Sequence, residues 1–96
     1  MSNIKLGYIT CKNIKEARTI AATLLDKKLI ACGNIFPKIN SIFKWKNKVV
    51  KCSESILFVK TNKSKIKKII STVCKIHSYE DPCVIFLDLQ DGMMLN

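Results

Sequence analysis

The chain has 96 residues, a formal net charge of +10 and 48% hydrophobic residues. This length fits one domain spanning residues 1–96, and the hydrophobic content excludes a disordered chain. There is no run of 18 or more apolar residues, and the opening MSNIKLGYIT has no signal-peptide pattern, so the expectation is a soluble, cytoplasmic protein without a membrane partner.

The segment IKLGYIT (4–10) alternates, with Ile4, Leu6 and Tyr8 on one face and Gly7 and Ile9 on the other, which predicts a strand. Asn13 followed by Glu16 reads as a capping box that opens a helix, and Ala17, Ile20, Ala21, Leu24 and Leu25 recur at helical spacing. LIACGNIF (29–36) begins a second strand. Pro37 marks its end or a bulge, and the pattern resumes over NSIFKW (40–45). KNK (46–48) suits a hairpin turn, and VVKCSESILFVKT (49–61) is a long third strand. The two arms of this hairpin exceed the roughly 5–6 residues of a typical strand, so the excess protrudes or pairs with another chain.

Ser64 can cap a second helix whose apolar stripe is Ile66, Ile69, Ile70, Val73 and Ile76. Pro82 suits a strand entrance. VIFLDL (84–89) reads as a strand buried on both faces, and DGMMLN (91–96) as a turn and tail. The order β-α-β-β-α-β is the α+β, ferredoxin-like arrangement: an antiparallel sheet with two helices on one face. Many unrelated activities use this fold, so function must come from a site.

The five cysteines are odd in number, widely spaced and without a CxxC pair, which argues against a disulfide framework or a zinc ribbon; they read as small core or interface residues. All basic residues except Arg18 are lysine. Phosphate recognition leans on arginine forks, so this excess reads first as a solvated surface, with a basic nucleic-acid-binding protein as the less favoured alternative.

Three motifs together carry a family resemblance. LIACGNIFPKINSIFKWKNKVV (29–50) is similar to a stretch of the CutA family, the divalent-cation-tolerance proteins, through Leu29, Ala31, Cys32, Asn34, Ile35, Pro37, Ser41, Trp45 and Lys48. SESILFVKT resembles a second family segment through Glu54, Leu57, Lys60 and Thr61, and HSYEDPCVI a third through His77, Tyr79, Glu80 and Pro82. The resemblance implies a tight homotrimer whose long hairpins pair between subunits. It also implies a role in tolerance of divalent metals, copper above all, without an attached enzymatic reaction. Family copper ligation is associated with a cysteine on the first strand and a histidine pair. Those positions here are Ile9 and Ile76–His77, so His77 is the donor retained.

Imidazole and thiolate are ligands that copper and zinc prefer. His77 is therefore a candidate ligand, with Cys74 on the same helix face at i, i+3, Cys83 close in sequence, and Cys32 from a neighbouring strand. The alternative for His77 is a helix C-cap partner. Tyr79 and Glu80 frame either an inter-subunit cleft or a plain turn, and Lys60 and Trp45 are further cleft or interface candidates. Cys83, His77 and Glu80 supply nucleophile, base and acid types, but in no catalytic spacing, so the chain is expected not to be an enzyme. The expectation is a CutA-like homotrimer acting in the response to divalent metal ions, with copper or another divalent ion as ligand and no required cofactor. The alternative is a trimeric regulatory module that binds a small metabolite in the inter-subunit cleft.

Overall fold

A computed structural model describes residues 3–90. The elements are β1 (Ile4–Cys11), α1 (Ile14–Asp26), β2 (Cys32–Trp45), β3 (Lys48–Asn62), a 3-10 turn (Lys63–Lys65), α2 (Ile66–Ile76) and β4 (Val84–Asp88). The strands form one sheet in the order β2-β3-β1-β4, and every neighbouring pair is antiparallel. This is the ferredoxin-like arrangement that the sequence predicts. The segment 91–96 lies outside the described residues.

One face of the sheet builds the core. Ile9 and Cys11 of β1 and Leu57 and Val59 of β3 pack with Ala17, Ile20 and Leu24 of α1 and Ile69 and Val73 of α2. Alternation places Gly7 on this same face, at a close approach. A Cβ there would lie 2.6 Å from a Val59 methyl carbon and 2.8 Å from the Phe86 ring, so only glycine fits without a shift.

Asn13 caps α1 as expected, accepting the Glu16 N–H at 2.9 Å. Glu16 returns to the Lys12 N–H rather than to that of Asn13. Ser64 does not cap α2. A 3-10 turn precedes that helix, and the Ser64 hydroxyl donates to the Asn62 side-chain oxygen instead. Pro37 sits at a bulge inside a continuous β2, between Phe36 and Ile39, and its carbonyl accepts the Ser55 hydroxyl at 2.7 Å. The hairpin turns on Lys46 and Asn47, both with positive φ, which matches the two-residue turn suited to twisted strands.

Two expectations change. β4 is buried on one face only: Val84 and Phe86 pack against the core, while Ile85 and Leu87 are about half exposed. Both helices lie on the other side of the sheet, so among the described residues nothing covers them fully. Of the five cysteines, Cys11 alone is fully buried; Cys52, Cys74 and Cys83 are exposed on the single chain, because their positions fall off the core stripe.

The pairing of β3 with β1 ends at Ser55 and Cys11. Beyond it, β2 and β3 continue as a two-stranded arm from Ile39 and Glu54 to Trp45 and Lys48. Ile42, Phe43, Trp45 and Val49 on this arm are all exposed.

Candidate functional site

The end of β1, the first turn of α1 and the segment after α2 meet at one place. α2 ends at Ile76, and His77 turns into extended backbone while its N–H still bonds Val73. This turn redirects the chain after the histidine, and no part of the His77 side chain is exposed. Its Nε2 lies 2.7 Å from the Thr10 carbonyl oxygen, and its Nδ1 accepts the Tyr79 N–H at 3.0 Å. The Tyr79 ring packs against the imidazole with centroids 4.7 Å apart. The Tyr79 hydroxyl donates to the buried Glu54 carboxylate at 2.6 Å, which joins this segment to β3.

Glu16 completes the group. One oxygen accepts from the Lys12 N–H at 2.9 Å and the other from the Ser78 N–H at 2.8 Å. Burial pulls its pKa upward, but these hydrogen bonds outweigh burial, and the carboxyl is held below its ordinary value. The Cys11 thiol is pushed up to about 12, first by desolvation and then by Glu16 and Glu54, so it stays protonated there. Desolvation and the bond to Glu54 likewise raise the Tyr79 phenol. No buried side-chain nitrogen or oxygen among the described residues lacks a partner.

Among the described residues, the one convergence of three metal-ligating types is Cys11, Glu16 and His77, with ligand atoms within 4.8 Å of one another. His77 is thus where the sequence points, but its neighbours are different ones. Cys74 is exposed on α2, whereas the His77 side chain is buried and bonds Thr10 and Tyr79 instead. Cys83 is exposed, and Cys32 is half-buried with its sulfur 3.9 Å from the Asn34 side-chain oxygen. Glu80 is exposed, Lys60 sits in register between Leu6 and Cys32, and Trp45 lies exposed at the arm's tip under the Lys46 ammonium. Sequence reasoning missed Cys11 and gave Glu16 only a capping role. The available signal for Cys11 was parity: two residues after Ile9, it shares that strand face.

The residue types suit copper or zinc, but the bonding does not. Nε2 faces an acceptor that needs its proton, and Nδ1 is filled by a backbone N–H. A tetrahedral ion would also ask for ligand atoms roughly 3.3–3.8 Å apart. As folded, the group does not fit a metal.

Beside it lies an open cleft of about 500 Å³ between the first turn of α1 and the β2 bulge; Lys12, Lys15, Lys38, Glu54 and Ser55 are among its lining residues. No helix among the described residues is long and apolar enough to cross a membrane.

A ferredoxin-like sheet with a long two-stranded arm and a sealed knot after α2 defines a narrow structural class. The family model for the CutA1 divalent ion tolerance protein matches residues 5–94, and the chain belongs to that family. It is 41% identical over 86 residues to the divalent-cation tolerance protein CutA of Archaeoglobus fulgidus, covering 90% of this chain and 83% of that one. It is 38% identical over 90 residues to a CutA homolog of Xenopus laevis, covering 94% of this chain and 60% of that protein. The chain thus spans about half to three-fifths of the vertebrate relatives it matches. The divalent ion tolerance protein CutA1 of Ehrlichia chaffeensis superposes with a TM-score of 0.90 at 32% identity, covering 97% of this chain and 87% of that one.

Proposed function

We propose that the protein acts as a homotrimer in the response to divalent metal ions, without catalysing a reaction. The observation that carries this reading is the unfinished apolar surface. Phe36, Ile42, Trp45, Val49, Ile85 and Leu87 are each about half exposed or more on the single chain. Burying a residue of this kind stabilises by about 1.5–3 kcal/mol, so a surface holding several of them favours association. Further copies of the chain are the proposed occupants of the exposed arm and open sheet face, and family membership supports both the assembly and the metal role.

Copper or another divalent ion is the ligand class. Its donors are thiols that assembly brings together, Cys32, Cys74 and Cys83 being the candidates, rather than the engaged ring of His77. Free exposed thiols also support a reducing, cytoplasmic setting. Native mass spectrometry of the reduced protein, alone and with one equivalent of Cu(I) per chain, tests this. The expected species is a trimer that retains copper and loses it on Cys→Ser substitution at these positions. A monomer overturns the assembly, and a trimer that ignores copper removes the metal as ligand.

A second reading has its own observation. The cleft lined by Lys12, Lys15 and Lys38 suits a small anionic metabolite. A rise in melting temperature with phosphorylated or carboxylated metabolites in metal-free buffer would favour it. Unchanged melting across such a panel would dismiss it.

A further inference from the structure

We infer that His77 is a tautomer-locked latch that positions Tyr79 and Glu54 beside the cleft, and not a metal ligand of this chain. Its two partners decide the tautomer without ambiguity. The Thr10 carbonyl can only accept, so the ring proton lies on Nε2, 2.7 Å away. The Tyr79 N–H can only donate, so Nδ1 carries a lone pair, 3.0 Å away. The imidazole is neutral and uses both nitrogens.

A metal-bound histidine gives one nitrogen to the ion and donates its other N–H to a carbonyl or carboxylate. The bond to Thr10 is of that second kind, which leaves Nδ1 as the position for an ion. The Tyr79 amide fills it. The Glu16 carboxylate approaches the opposite edge, 3.9 Å from Nε2, where the proton sits. Loading Nδ1 would expel the Tyr79 amide. Loading Nε2 would strip the Thr10 carbonyl of its donor. Either way the ion breaks a part-buried hydrogen bond.

The latch holds something. Thr10 of β1, His77, Tyr79 and Glu54 of β3 form one continuous run of hydrogen bonds. Through it the segment after α2 is tied to two strands, and the Glu54 carboxylate is held where it lines the cleft. His77 is thus a positioning residue, acting on the cleft through Tyr79.

The test is read first on metal-free, reduced protein labelled with nitrogen-15 in histidine. As the single histidine, His77 gives unambiguous signals. The expected spectrum has a protonated Nε2 and an unprotonated Nδ1, unchanged after one equivalent of Zn(II) per chain. A proton on Nδ1, or a coordination shift of either nitrogen with zinc, overturns the inference. The His77→Gln variant keeps a donor for Thr10. Its Cu(I) affinity, measured by chelator competition, is expected within about twofold of the parent, whereas a ligand's removal costs more than the 10–100-fold of a supporting partner. In His77→Phe, which keeps a ring and removes both bonds, the Tyr79 amide should exchange at least about tenfold faster while Leu57 and Val59 stay protected. Equal Tyr79 protection would overturn the latch. The tautomer readout needs no metal uptake, so its failure is distinct from failure of the copper proposal.

Discussion

The knot after α2 and the β2–β3 arm are opposite solutions to the same difficulty. Both hold groups that water would otherwise claim. At the knot, the donors and acceptors of His77, Glu16 and Tyr79 find partners inside the chain. On the arm, Ile42, Phe43, Trp45 and Val49 stay largely uncovered by the described residues, and 44–67% of each residue's surface is open. Polar satisfaction was achieved by one copy; apolar burial on this side is what the proposed assembly would supply. The difference teaches where to look for function: the sealed region fixes geometry, and the unsealed regions are free to meet partners.

The largest effect should come from breaking the sealed side. Leu57 is fully buried in the core, so Leu57→Ala should cost about 2–5 kcal/mol in denaturant unfolding, from lost transfer energy and a residual cavity. Tyr79→Phe comes next. It leaves the buried Glu54 carboxylate short of a donor, and a loss of about 1–3 kcal/mol is expected by the same measurement. An unchanged midpoint would mean that water replaces the hydroxyl and that the knot is looser than its distances imply.

On the arm the prediction inverts. Ile42→Lys combined with Val49→Lys should leave the far-ultraviolet circular dichroism intact, yet weaken self-association at least about tenfold, or roughly 1.4 kcal/mol, by sedimentation. If association survives both charges, the arm is not the contact.

The smallest effect is electrostatic. Glu16 has a lowered pKa in the folded state, so its contribution is present above the ordinary value of 4.5 and is lost as pH falls through the lower folded value. Glu16→Gln should therefore remove about 0.3–1 kcal/mol near neutral pH and flatten the acid limb of stability against pH. Equal acid limbs in parent and variant would show that other carboxylates govern it.

The arm and the knot were unequally legible beforehand. The excess length of β2 and β3 was visible as β-branched and aromatic residues on both sides of KNK, and the arm forms as read because a two-stranded ribbon depends on residues close in sequence. The knot was half visible. His77, Tyr79 and Glu54 stood in family-like motifs, but Cys74 seemed the natural neighbour of His77 from helical spacing alone, which does not tell what packs against the helix end. The ring instead bonds Thr10 of β1 and the Tyr79 amide.

Strand and helix periods, the Asn13 cap and the order of elements were determined by the sequence itself, since these depend on neighbours within a few residues. The burial of β4 on one face only, the engagement of both His77 nitrogens and the meeting of residues 10, 16, 54 and 77 were decided by tertiary structure alone. Those groups are distant along the chain. Only sheet order and the packing of α1 and α2 bring them within hydrogen-bond reach, where a difference of an ångström separates a ligand site from a latch.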